Sequence, residues 1–285
     1  MTFRRSALFC LLAILPFGQA ALGAGGAGSE TPAQPGSTIQ MAMTLYAGGV
    51  TLGKVDLNTT IRGDQYHSVS SLQTGGVVNA FWQSEIQATS NGTVVPKNLR
   101  PGLYDSFYTG RSDKKQEVSL TYEPNGPIRL FADPPYSVTG YEVTPDQQKG
   151  TLDPLSTMTY LVSGFGTDAS NPCAITLPVF DGRRRYNIEV TKVKETDVSM
   201  DNGLYRGKAF LCQIKYRQLA GFKPKVIKEG ASFPVINAWV AVFPSAVTGR
   251  SYTVPLRLWA DTSYGVIAGV ATMVKIDGVP IKPQG

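Results

Sequence analysis

Apolar residues recur at every second position through most of this chain. In Arg206–Tyr216, Phe210, Cys212, Ile214 and Tyr216 share one face, with Lys208 near its start, while Leu211, Gln213 and Lys215 take the other. In Tyr186–Val190, Tyr186, Ile188 and Val190 oppose Asn187 and Glu189. Such alternation sets one side of an extended strand against a core and the other towards water. The same pattern predicts strands at Gln40–Tyr46, Val50–Ile61, Gln65–Leu72, Gln83–Ser90, Gly102–Tyr108, Glu117–Tyr122 and Ile128–Ala132. Further strands are predicted at Ile175–Phe180, Ile236–Val242, Tyr252–Trp259 and Ile267–Asp277. Turn-forming residues punctuate them at Ala47-Gly48-Gly49, Asn91-Gly92, Pro124-Asn125-Gly126, Asp181-Gly182 and Asp201-Asn202-Gly203.

One segment reads clearly as a helix, Pro154–Phe165. Asp153 is a good N-cap, Pro154 suits the first helical position, and Gly164 or Gly166 can end it. A weaker helical turn is predicted around Gly76–Phe81. Many strands and one helix make a mainly β fold, and one antiparallel sheet of that many strands has to curl. The expected architecture is a single curled antiparallel sheet, an open barrel or β-spiral, wrapped around one central helix. Two β-sandwich domains are the alternative, although no linker marks a boundary.

The N-terminus reads as an export signal over residues 1–24. Arg4 and Arg5 precede an apolar run, Ala7–Phe17, and small residues follow, with cleavage expected after Ala20, Gly23 or Ala24. Residues 25–38, rich in Gly, Ala, Ser and Pro, are expected to be a flexible arm. Residues 39–285 then form one domain. The formal charge of +6 falls to about +4 once Arg4 and Arg5 are removed. That mild bias suits an anionic lipid or glycan surface and argues against nucleic acid. Cys10 lies in the leader, so Cys173 and Cys212 remain, and an oxidising compartment predicts that they pair. Two buried free thiols are the alternative.

Residues with recognisable chemistry are sparse. His67 is the single histidine and sits in a polar strand, so a histidine-based triad has one candidate base. With two paired cysteines and one histidine, no metal site is expected, and no cofactor. Ser112 and Lys115 match Ser-x-x-Lys inside a hydrophilic turn, where that chemistry lacks its buried lysine. Gly23, Gly25 and Gly28 match a dinucleotide spacing without a strand before or a helix after. Carboxylates are scattered, and a glycosidase would need two of them facing one cleft. Arg183-Arg184-Arg185 is the sharpest charged feature. It can contact an anionic headgroup or simply flank a solvated hairpin. The aromatic residues Tyr104, Phe107, Tyr108, Tyr122, Phe131, Tyr136, Tyr141, Tyr160, Trp239 and Trp259 can line an apolar pocket or fill a β-core.

A series of short motifs appears in a characteristic order: Met43-Thr44-Leu45-Tyr46 with Gly49 and Leu52-Gly53-Lys54, then Leu99-Arg100-Pro101-Gly102-Leu103-Tyr104 and Asp133-Pro134-Pro135. Asp153-Pro154-Leu155-Ser156, Phe180-Asp181-Gly182-Arg183-Arg184-Arg185-Tyr186, Cys212 and Ala220-Gly221-Phe222 follow. In this order they resemble the bacterial periplasmic domain-of-unknown-function 3108 family, over nearly all of Gln40–Asp277. The resemblance implies a Gram-negative cell-envelope protein and transfers no catalytic residue. By fold analogy it points to β-spiral envelope proteins and lipoprotein-carrier half-barrels, which shield acyl chains. The expectation is therefore a monomeric, non-enzymatic periplasmic protein that binds an apolar or lipid ligand or an envelope protein partner. A scaffold with a packed lumen and a carboxylate-based hydrolase are the other two classes.

Overall fold

The computed structural model describes residues 36–75, 83–111, 114–123, 128–165, 168–230, 233–263 and 265–281. These fall within the compact unit Gln34–Gly285. The expected leader, and the helical turn predicted at Gly76–Phe81, lie outside the described residues.

The strands follow the period-two pattern. In chain order they are β1 (Gly36–Ala47), β2 (Val50–Arg62), β3 (Gln65–Thr74), β4 (Ser84–Val95), β5 (Asn98–Gly110), β6 (Lys115–Thr121) and β7 (Arg129–Asp133). After two helices come β8 (Ile175–Phe180), β9 (Arg185–Ser199) and β10 (Arg206–Ala220). After a third helix come β11 (Ile236–Pro244), β12 (Ser251–Thr262), β13 (Gly265–Ile276) and β14 (Val279–Pro280). In β1, buried Ser37, Ile39, Met41 and Met43 alternate with half-buried residues. Leu57, Thr59 and Ile61 do the same in β2.

The strands form one 14-stranded antiparallel sheet that is not closed. Its order is β7-β6-β5-β4-β3-β2-β1-β13-β12-β11-β10-β9-β8, with β14 beside β13. Every neighbouring pair is consecutive in sequence except β1 and β13. Two meanders, β1–β7 and β8–β13, are thus stitched together by one long-range pairing, in which Ile39 faces Ile276 and Leu45 faces Gly269. One continuous sheet replaces the alternative of two sandwich domains.

The principal helix, α2 (Pro154–Val162), stops three residues short of the predicted end. Ser163 caps it, its N–H reaching Thr159 O, and Gly164 follows in a left-handed conformation. Two short helices were not foreseen: α1 (Pro145–Gln148), held by a capping box between Thr144 and Gln147, and α3 (Pro224–Gly230). α2 touches β3, β4, β5, β8 and β12. Its polar side docks through buried hydroxyls: Tyr66 OH lies 2.6 Å from Ser156 Oγ, and Ser68 Oγ lies 2.6 Å from Thr159 Oγ1 and 2.9 Å from Thr59 Oγ1. The main core gathers Ile39, Met41, Met43, Leu57, Leu120, Leu155, Val162, Tyr252 and Leu256 from both meanders and α2.

Two expectations require correction. The arm expected over 25–38 ends earlier, because β1 already begins at Gly36. Ser37 is fully buried and donates to Asp277 Oδ1 at 2.7 Å, beside Ser245 and Tyr252. Asn91-Gly92 is no turn. It lies inside β4 at a register shift opposite β5. A side chain at Gly92 would collide with Arg100 O and the Tyr66 ring, so close backbone approach explains the glycine there.

Candidate ligand cleft between the sheet edges

β7 and β8 are the two ends of the sheet order. Between them lies a cleft of about 500 Å³. Leu130, Phe131 and Ala132 of β7 form one wall, Pro135, Tyr136, Val138 and Val143 of the following segment form another, and Phe180, Gly182 and Arg183 close it. Leu130 and Phe131, on this edge strand, are 44% and 54% exposed.

Local chemistry explains the far wall. Asp181 Oδ1 accepts from the backbone N–H groups of Arg183 (2.9 Å) and Arg184 (2.6 Å), which tightens the β8–β9 turn. Gly221 approaches the Arg183–Arg184 backbone so closely that a side chain would overlap Arg183 O, and its φ is +81°. Leu152 bonds along the outer edge of β8, its N–H to Pro178 O at 2.9 Å and its O from Phe180 N at 2.9 Å. That pairing blunts the β8 edge and leads directly into α2.

The three arginines are not a single patch. Arg183 lines the cleft, with its guanidinium over the Tyr136 ring at 5.5 Å and its Nε buried without a partner. Arg184 is exposed and lies over Phe222 at 5.5 Å. Arg185 is spent on Gln147 O, Tyr186 O and Asn187 Oδ1. Successive residues at a turn and strand start point in different directions, so adjacency in sequence does not become one binding surface.

Behind the cleft is a buried polar layer. Burial pushes the Asp181 carboxyl up, against the opposing pull of the Arg183 and Arg184 amides. Burial likewise raises Tyr136, Tyr104, Tyr122 and Tyr186, with nearby carboxylates adding to the effect in each case. Tyr122 OH is buried without a hydrogen-bond partner. Asp153 is fully buried and raised to about 6 by desolvation, which outweighs its bonds from Ser156 N (2.7 Å), Ser156 Oγ (2.5 Å) and Ser90 Oγ (3.2 Å). It caps α2 as expected of an Asp before Pro154, and it has no face open to a substrate.

Other candidates lie elsewhere. His67 is exposed on β3. Lys115 begins β6 on the surface, and Ser112 lies outside the described residues. Cys173 and Cys212 are joined as a disulfide with a Cα–Cα distance of 6.0 Å. They form a small apolar cluster with Val190, Ala238 and Val240, away from the residues that line the cleft. Among the described residues no group of three or more His, Cys, Asp or Glu side chains is placed to hold a metal ion, and no helix is long and apolar enough to cross a membrane. Trp239 and Trp259 stack about Arg257, each 5.4 Å from its guanidinium. That trio lies on the face away from α2, since Gly269, paired to the intervening Leu258, faces Met43 and Leu45. Phe131 and Tyr136, named among the aromatics, do line the cleft. Val138, Glu142, Val143 and Gln148 gave no signal, because their segment has no periodicity.

The profile of a family described as "Protein of unknown function (DUF3108)" matches residues 40–273. The chain belongs to this family. Tyr104, the turn from Phe180 to Tyr186, and Ala220-Gly221-Phe222 gather around the far side of the cleft, and Asp133-Pro134-Pro135 leaves its near wall. No curated protein matches the chain. Among solved structures it is similar to the "Beta-barrel-like Protein of Domain of Unknown Function DUF1849 from Brucella abortus", at 14% identity and a TM-score of 0.48, covering 86% of this chain and 97% of that one.

Proposed function

We propose that this is a non-enzymatic binding protein of the bacterial cell envelope whose ligand is an amphiphile, an apolar chain ending in an anionic group. The cleft carries this reading: mostly apolar walls, with Glu142 and Gln148 also lining them, meet a single guanidinium, Arg183, held over Tyr136 with its Nε unpartnered. Its volume lies in the range of small-molecule sites. Apolar contact would supply about 25 cal/mol per Å² buried, and the arginine would orient the head. The leader-like N-terminus and the Cys173–Cys212 bond support an exported, periplasmic setting.

The sheet, in this reading, curls around α2. One helix about 10 Å across touches both β5 and β8. Ten steps of the sheet order separate those strands, a span of about 48 Å if flat. The hydroxyl-filled contact of α2 with β3 and β4 leaves the ligand the cleft at the edges rather than the space beside the helix. That filled contact also favours a second reading, a scaffold acting through its outer surface.

Mass spectrometry of organic extracts from the gently purified protein tests the choice, together with titration of a fluorescent fatty acid. The expected result is a reproducible anionic acyl species and fatty-acid binding that Arg183→Glu weakens at least tenfold. An empty protein that ignores the probe would leave the scaffold.

A further inference from the structure

A second cavity, of about 520 Å³, lies where β10 outruns its neighbour. β10 pairs with β11 only over Phe210–Ile214, so Lys215–Ala220 extend past the end of β11. The chain then turns through α3 and returns at Phe233. Lys215, Tyr216 and Arg217 line one side of this cavity, and Ile227, Phe233, Pro234 and Val235 line the other.

Two properties coincide there. Ile227 and Phe233, which both line the cavity, are 44% and 48% exposed, and Phe233 lies against the Tyr216 ring at 5.9 Å. Lys215, Arg217, Lys223, Lys225 and Lys228, all exposed, are interleaved with them, against a single carboxylate between Lys215 and Phe233, Glu229. Lys215 and Arg217 share one face of β10 by alternation, and Leu219 follows at a bulge where the pairing with β9 shifts between Gln218 and Ala220. Lys223 is one helical turn before Ile227, whose N–H bonds to Lys223 O at 3.2 Å. Glu189 engages Arg217 at 3.3 Å and leaves the surplus positive. Solvated lysines alone would be an ordinary surface, and exposed apolar residues alone would suit any partner. Their mixture fits an interface where a polyanionic surface overlies hydrocarbon.

We propose that the tip of β10 with α3 and Phe233 docks the protein on an anionic lipid bilayer. The lysines meet the headgroups, and Ile227 and Phe233 enter the boundary with the acyl chains. The site shares no lining residue with the β7–β8 cleft, so the two proposals stand or fail separately.

Co-sedimentation with vesicles tests it, using phosphatidylglycerol mixed with phosphatidylcholine, against phosphatidylcholine alone. Binding to the anionic vesicles is expected, falling as salt rises. Removing positive charges with Lys215→Gln, Lys223→Gln and Lys228→Gln together should weaken it about a hundredfold, about fivefold per charge. Phe233→Ser with Ile227→Ser should weaken it at unchanged salt dependence, and Arg183→Glu should leave most of it intact. All these positions are exposed except Arg183, and circular dichroism confirms that each variant is folded. Equal binding to neutral vesicles, or anionic binding untouched by either the lysine or the apolar variant, would overturn the proposal.

Discussion

Asp153 shows how one residue serves the fold at a cost. Its side chain accepts from one orphan amide of α2, that of Ser156, and it joins Ser90, Ser156 and Tyr66 in a network with no access to water. Desolvation lifts its pKa from 3.8 to about 6. An acid that holds its proton more tightly in the fold than in the unfolded chain stabilises the fold while protonated. Its contribution is full below about pH 4 and is lost as pH rises through about 6. The span corresponds to on the order of 3 kcal/mol. Asp153→Asn keeps a competent cap and removes the titration. Urea unfolding of both proteins from pH 4 to 7 should therefore show wild type losing stability relative to the variant, and parallel profiles would contradict the assignment. Arg183 illustrates the opposite case. It has a place in the cleft that its two neighbours do not share, although all three are identical in sequence terms.

Among the elements, α2 and the β8–β10 meander rely on different devices. α2 is a nine-residue helix, too short to persist alone, and it is held by hydroxyl contacts to β3 and β4 as much as by Leu155 and Val162. The meander β8–β10 has long strands with many half-buried residues and an incomplete partner in β11. The bond between Cys212 on β10 and Cys173, just before β8, ties it across a separation of 39 residues. Loop entropy gives such a link about 4 kcal/mol at most. Cys173→Ser should lower the melting temperature under oxidising conditions by up to roughly 8–16 °C. With reductant present, the variant and wild type should melt together. A variant that melts like wild type under both conditions would show that the link contributes nothing.

For the molecule as a whole, the join between β1 and β13 matters most. Each meander is local, but the two become one sheet only when Ile39 reaches Ile276, and Ser37 then reaches Asp277. A contact spanning nearly the whole chain makes folding slow, on a scale of milliseconds to seconds for non-local β topologies. A chain that starts at Val50, lacking β1, should not unfold cooperatively. Its fluorescence and circular dichroism transitions in urea should separate, whereas the chain with β1 should show coincident ones. A single sharp transition without β1 would mean that the meanders are joined by other contacts. Much of this fold was legible beforehand. Strand positions followed from alternation because burial of one face is a local, two-residue rule, and the α2 start followed from Asp153-Pro154 because capping is local too. The misread places share one cause. Ser37 looked like part of a polar arm because Asp277, Ser245 and Tyr252, which bury it, are far away in sequence. Asn91-Gly92 looked like a turn because its steric constraint comes from Arg100 and Tyr66. The cleft was not visible at all, since its walls come from β7, the segment after it and the β8–β9 turn. The residue pattern settled that this chain makes many antiparallel strands and one capped helix, because those preferences are decided within a few residues. Which strands end the sheet, where its edges leave a cleft and which arginine enters it were settled by long-range packing, in which each residue's surroundings are supplied by distant parts of the chain.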